Sequence, residues 1–170
     1  LGNHVAQAGS LVAPERLRFD FSHTQMVSQP ELDEIERAVN EAILADLPVV
    51  ANQKSFSDLK QAIVSGEIMA LFGEKYGSTV RVVQIGANGQ SYSRELCGGT
   101  HIERTAQIGS LHITSEGSAA AGVRRIEAVT GRMAQQLIQT RLAALEQAAA
   151  FLGVAPEEVY RRSISLLGQL

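Results

Sequence analysis

The chain has 170 residues, 45% of them hydrophobic, a formal net charge of −3 at pH 7 and a sequence pI near 5.8. That length and apolar content suffice for a core in one domain with at most an appendage. No apolar run nears the ~20 residues that span a bilayer. The acidic balance excludes a chain-wide grip on duplex nucleic acid such as DNA, so any nucleic-acid contact must be local. The single cysteine rules out an internal disulfide and suits a reducing, cytoplasmic setting. The opening Leu1-Gly2-Asn3-His4 shows neither a signal peptide nor an initiator methionine, and reads as the start of a fragment of a longer protein.

Residues 1–12 read as the tail of a helix running into Gly9-Ser10, followed by the short apolar segment Leu11-Val12 and a turn at Pro14. Leu17 to Ser22 alternates apolar and polar at strand spacing, with Leu17, Phe19 and Phe21 on one face and Arg18 and Asp20 on the other. After Pro30, the residues Leu32, Ile35, Val39, Ala42 and Ile43 recur at helical spacing, with acids in the first turn and Ser28 as the cap. The acidic face of that helix reads as solvated surface rather than a metal site. Pro48 releases the chain into a strand over Val49-Val50-Ala51, and Ser55 or Ser57 caps a second helix through Val64 that ends before Gly66.

Ala70 to Gly77 reads as a shaped loop. Val80 to Ile85 is a strand, Gly86 to Gly89 a hairpin turn, and Tyr92 to Leu96 the returning partner that delivers Cys97. Leu111 to Thr114 is a further strand, Gly117 to Gly122 a loop of small residues, and Val123 to Val129 a strand. Arg132 to Phe151 is a long helix of good formers, stopped by Gly153, and Pro156 opens a shorter helix through Leu167. Helices followed by meandering strands, without βαβ alternation, predict an α+β fold: an antiparallel sheet packed with helices, then a C-terminal helical hairpin. The domain boundary falls at 131, with residues 132–170 as a helical linker.

The chemistry concentrates in Cys97-Gly98-Gly99-Thr100-His101. A thiolate and an imidazole at i, i+4 can ligate one metal ion from a tight turn, and the glycines permit close approach of backbone to a ligand. Two ligands fall short of the three or four that zinc takes from protein. Local basic candidates for nucleic acid are Arg104, Arg124, Arg125 and Arg132, set against the ordinary reading of arginine as solvated surface. His23 and His112, beside strands, read as core or surface histidines rather than catalytic bases.

Five stretches occur in order: Gln7 to Val12, Leu17 to His23, Ala70 to Tyr76, Cys97 to His101 and Gly122 to Ala128. Together they closely resemble the editing domain of alanyl-tRNA synthetases over roughly residues 1–131, and the tail resembles the helical linker that follows it there. The resemblance implies hydrolysis of the ester joining serine or glycine to the alanine tRNA. An alanine pocket excludes glycine, or serine with its one added hydroxyl, by only ~1–3 kcal/mol, so a second, error-clearing site is the general remedy. The parent would ligate alanine to its tRNA, with ATP and magnesium held in a separate aminoacylation domain.

The resemblance also assigns residues. Cys97 and His101 would hold zinc with an upstream His-x-x-x-His. No such pair occurs among His4, His23, His101 and His112, and it is expected to lie before residue 1, leaving this chain to bind zinc weakly and to be inactive alone. The ion could activate water, polarise the ester carbonyl, orient the substrate, or be purely structural. Gln7 matches a polar position of the editing pocket, and Thr100 could donate to the substrate or within the turn; these two are the catalytic candidates. Arg18 and Asp20 read as an ion pair or as substrate contacts. Arg124 and Arg125 alternate across a strand, so only one can face a cleft and take a phosphate near the terminal adenosine of the tRNA. The alternatives are a non-catalytic, zinc-stabilised tRNA-binding module and an editing domain of the threonyl type.

Overall fold

A computed structural model describes residues 1–70, 76–87 and 90–168. In chain order the strands are β1 (Gln7–Val12), β2 (Leu17–Ser22), β3 (Val49–Ser55), β4 (Thr79–Ala87), β5 (Gln90–Leu96), β6 (Leu111–Ala120) and β7 (Val123–Thr130). The helices are α1 (Gln29–Leu44), α2 (Phe56–Val64), α3 (Gly131–Leu152) and α4 (Val159–Leu167), with 3-10 turns at Thr105–Ile108 and Pro156–Glu158. The α+β expectation holds, and the strands divide into two antiparallel sheets, one ordered β1-β2-β7-β6 and one ordered β3-β4-β5.

Each sheet buries one face under a helix from its own neighbourhood. On the four-stranded sheet, Ile43 of α1 meets Leu111 and Ala128, with Leu17, Val39 and Ile113 packed around them. The helix starts where Glu31 reaches back to the backbone N–H of Ser28 at 2.8 Å, a capping arrangement that satisfies an otherwise orphaned donor. One acid of α1 is not solvated surface. Glu36 accepts from the backbone of Ile113 at 2.7 Å and faces His112 Nδ1 at 3.0 Å, which ties α1 to β6. On the three-stranded sheet, Leu59 of α2 packs with Ile68, Val80, Val82 and Leu96.

Two local readings are corrected. Residues 7–12 are an edge strand, not a helix tail: β1 pairs with β2 along Leu11↔Arg18 and Val12↔Leu17. Gly9, Ser10 and Val12 are poor helix formers, and the exposed edge of β2 offers them hydrogen-bond partners. Residues 117–120 are strand rather than loop, because β6 stays paired with β7 through Gly117↔Arg125, Ser118↔Arg124 and, after a register shift, Ala120↔Val123. Only Ala121 and Gly122 turn, with Gly122 at φ 71°, where a side chain would be strained. Small residues lower intrinsic strand preference, and the cross-strand ladder overrides it. Likewise β3 runs on past Ala51 to Ser55, paired with β4 throughout. The Ala70–Gly77 loop and the Gly86–Gly89 turn lie partly outside the described residues.

The two sheets are joined through the segment that follows β5. Thr105, 4% exposed, donates its hydroxyl to Ala42 O and accepts from Leu47 N–H, both at 2.8 Å. Arg104 Nε meets Asp46 Oδ2 at 2.7 Å, which places this arginine in a structural pair. Helix α3 enters with Ala134 fully buried and stops at Gly153, whose left-handed φ of 65° closes its C-terminus. Among the described residues no helix is long and apolar enough to cross a membrane.

Candidate functional site

Strand β5 ends at Leu96, and the next five residues form the turn that carries the chemistry. Cys97 is half-buried and unpaired as a thiol, while Gly98, Gly99, Thr100 and His101 are exposed. The backbone N–H of Cys97 donates to Arg81 O at 3.2 Å, continuing the β4–β5 ladder one step beyond Leu96↔Val82. Neither Gly98 nor Gly99 adopts a positive φ, so the backbone itself does not demand glycine. A Cβ at Gly99 would lie 3.6 Å from Cys97 Sγ and 3.8 Å from His101 Cε1, in ordinary van der Waals contact with both, and would occupy the gap the thiol and the imidazole share.

Arg81 closes the inner side of this turn. Its Nη1 donates to the carbonyl of Cys97 at 3.3 Å and to that of Gly99, and faces His101 Nδ1 at 3.3 Å. The sequence offered one signal for it, a lone cation inside the apolar run Val80 to Val83, which is easily read as an exposed strand position. A thiol, an imidazole and an open gap between them suit a zinc ion in donor chemistry. Among the described residues, however, no group of three or more His, Cys, Asp or Glu could hold a metal. The described residues therefore supply two donors to a site that needs three or four.

The remaining candidates lie on the four-stranded sheet. Asp20, 8% exposed, accepts two parallel bonds from Arg125, Nε to Oδ1 at 2.7 Å and Nη2 to Oδ2 at 2.8 Å. Those bonds hold its carboxyl below the ordinary aspartate range, outweighing burial, which acts in the opposite direction. Arg18 stands second to it, with Nε 3.7 Å from Asp20 Oδ2, and that buried Nε has no hydrogen-bond partner. The nearer partner of Asp20 is thus Arg125 rather than Arg18. Arg124 turns to the opposite face of β7 and grips Glu116 with two bonds of 2.6 Å. This depresses Glu116 and raises Arg124. Both arginines of the pair are therefore committed to carboxylates, and Arg125 keeps the more exposed side chain, 38% against 16%.

Gln7, on the edge strand, donates from Nε2 to Ser10 Oγ at 3.1 Å. Cys97 and His101 converge; Arg18, Asp20 and Arg125 converge; among the described residues no hydrogen bond or ion pair joins those two groups. His4 and His23 form a contact that sequence separation hid. Their rings stack with centroids 5.1 Å apart and His4 Nε2 lies 2.8 Å from His23 Nδ1. His112 Nδ1 lies 3.0 Å from Glu36 Oε1.

A family model, the threonyl and alanyl tRNA synthetase second additional domain, matches residues 80–127, the stretch from β4 into β7 that carries Arg81, Cys97, His101, Arg124 and Arg125. That stretch is thus similar to an additional domain of the aminoacyl-tRNA synthetase class. The chain is 49% identical over 173 residues to the alanine–tRNA ligase of Chelativorans sp., covering 98% of the chain and 19% of that relative. It is 47% identical to the alanine–tRNA ligase of Roseiflexus castenholzii, covering the whole chain and 20% of that relative. Against the alanine–tRNA ligase of Lysinibacillus sphaericus the identity is 49%, covering 99% of the chain and 18% of that relative. Over nearly its whole length the chain is similar to alanine–tRNA ligases, and it spans about a fifth of the length of the curated relatives it matches.

Proposed function

We propose that this chain is the editing part of an alanine–tRNA ligase, and that it hydrolyses the ester of serine or glycine mischarged onto alanine tRNA. The observation that carries the reading is the gap at Gly99, bordered by Cys97 Sγ and the His101 ring, in a segment that matches the additional domain of these synthetases. Discrimination supplies the physical need. An alanine-sized pocket separates alanine from glycine or serine by only ~1–3 kcal/mol, so errors must be cleared at a second site.

In this reading Cys97 and His101 give two donors to a zinc ion, and the others come from outside the described residues. Zinc, when bound, would supply Lewis acidity at the ester carbonyl or an activated water. Thr100, exposed in the turn, would donate a hydrogen bond to the substrate, and the Gln7 amide would hydrogen-bond the aminoacyl group or a water. Arg125 and Arg18, whose side chains are partly exposed, would contact a phosphate near the terminal adenosine. Arg124 and its carboxylate would serve the sheet instead, since the pair is nearly enclosed. ATP and magnesium would belong to the aminoacylation part of the ligase, in the cytoplasm.

The test is release of serine from mischarged alanine tRNA by a full-length ligase carrying this sequence. Release that disappears on Cys97→Ala while alanine charging continues supports the hydrolase. No release from the unsubstituted ligase, with tRNA still bound, would instead make this a non-catalytic tRNA-binding module.

A further inference from the structure

A cleft lies on the three-stranded sheet, away from the Cys97 turn. Asn52 and Lys54 of β3, Val82 and Gln84 of β4, Arg94 of β5 and Ile68 line a volume of about 80 Å3. Strand register makes them neighbours, with Asn52 opposite Val82 and Gln84 opposite Arg94. Val82 and Ile68 are buried and supply an apolar floor, while the rim is polar. Arg81, one residue before Val82, reaches the turn instead, and neighbours along a strand point to opposite faces. The cleft and the turn therefore occupy opposite faces of one sheet.

The rim carries two cations and no carboxylate, in a chain whose net charge is −3. On the other sheet arginines close on acids, Arg124 on Glu116 and Arg125 on Asp20. Lys54 and Arg94 have no ion pair among the described residues. Arg94 Nε donates to Gln84 Oε1 at 3.2 Å, which leaves the Gln84 amide nitrogen and both Nη groups of Arg94 to donate elsewhere. Charges of one sign above an apolar floor concentrate their field in the cleft. Water takes ~30 Å3 in the liquid, so the space admits one compact group and excludes a nucleoside. Donors from three strands surround that space, which suits a tetrahedral oxyanion better than a flat carboxylate. We propose that this cleft is a phosphate-binding site, in which Lys54 and Arg94 hold the anion and the Asn52 and Gln84 amides donate to its oxygens. The phosphate belongs either to an RNA backbone or to a small free phosphate. Only the first source rests on the tRNA reading above.

The experiment titrates inorganic phosphate into the nitrogen-15-labelled chain, with sodium chloride adjusted to keep the ionic strength constant. Saturable shifts are expected at the Arg94 Nε–H and at the side-chain amides of Asn52 and Gln84. The Asn40 amide, bonded to Leu111 O on the other sheet, should not move. Lys54→Met and Arg94→Met should each weaken binding roughly ten-fold, the loss of one charge-assisted bond. Shifts that never saturate, or variants that bind as the wild type does, overturn the proposal. Lys54 is exposed, so its variant still decides if Arg94→Met fails to fold. A second arm identifies the source, using a full-length ligase and uncharged alanine tRNA. If RNA supplies the phosphate, each variant lowers the slope of log affinity against log salt by ~0.7–0.9. Slopes equal to wild type, with inorganic phosphate still bound, assign the site to a small free phosphate. Serine release is scored separately through Cys97, so the editing reading and this site can fail independently.

Discussion

Arg125 closes on Asp20 with two parallel hydrogen bonds of 2.7 and 2.8 Å, joining two strands whose residues lie more than a hundred positions apart. The same sheet holds a second pair of this kind, Arg124 on Glu116. Both carboxylates titrate below their ordinary range, chiefly through the hydrogen bonds from their arginines. In the unfolded chain they would bind protons near ~3.9 and ~4.3. As pH falls through those values the unfolded state binds protons that the folded state still refuses, so stability falls with pH in that window. The contribution is complete above about pH 5 and drains away below about pH 4. Melting temperature followed from pH 7 to pH 3 should be flat at first and then decline. Asp20→Asn together with Glu116→Gln should blunt the decline, and a wild-type profile that stays level to pH 3 would contradict the assignment.

Thr105 connects the end of α1 to the segment after the Cys97–His101 turn, through Ala42 O and Leu47 N–H. Valine has nearly the same shape and neither hydrogen bond. Thr105→Val should therefore cost ~1–3 kcal/mol, because a donor and an acceptor in a nearly buried place lose their partner. Urea unfolding of the two chains measures it, and a difference near zero would show that water replaces the hydroxyl.

Gly99→Ala separates folding from chemistry. The added Cβ makes ordinary van der Waals contacts, at 3.6 and 3.8 Å, and the backbone there needs no positive φ. Stability is expected to change little, within ~0.5 kcal/mol, while the gap between thiol and imidazole is filled. In a full-length ligase, serine release should drop at least ten-fold with alanine charging intact. Unchanged release would mean that the reacting atoms do not use this gap.

Zinc provides a fourth test. Two donors leave the ion half-coordinated, so the isolated chain, purified without chelator, is expected to hold well under one zinc per molecule by elemental analysis. Tightly held stoichiometric zinc would show that donors beyond Cys97 and His101 are supplied within the 170 residues.

Much of the fold could be read from spacing alone. Leu17 to Ser22 alternates because Leu17, Phe19 and Phe21 share one face of β2, while Arg18 and Asp20 share the other, where Asp20 is buried against Arg125. The α1, α2 and α3 stripes and caps are local signals carried by neighbours three or four residues away. What failed was local in a different way. Gly9-Ser10 and Gly117 to Ala120 have weak intrinsic preferences, and their state is set by strands distant in sequence. The site was legible in half. Cys97 and His101 announce themselves by spacing, whereas Arg81 sits 16 residues before Cys97 and becomes part of the turn only when β4 and β5 pair.

By itself the chain order of residues determined the α+β class, the helices and their ends, the Cys-x-x-x-His turn and the likeness to alanyl-tRNA synthetases, since each rests on near-neighbour chemistry or on motifs in order. Tertiary structure alone decided which charges meet: that Asp20 belongs to Arg125 before Arg18, that Arg124 is taken up by Glu116, and that Arg81 holds His101. Those choices depend on strand register, and a shift of one residue would send each of these side chains to the opposite face of its sheet.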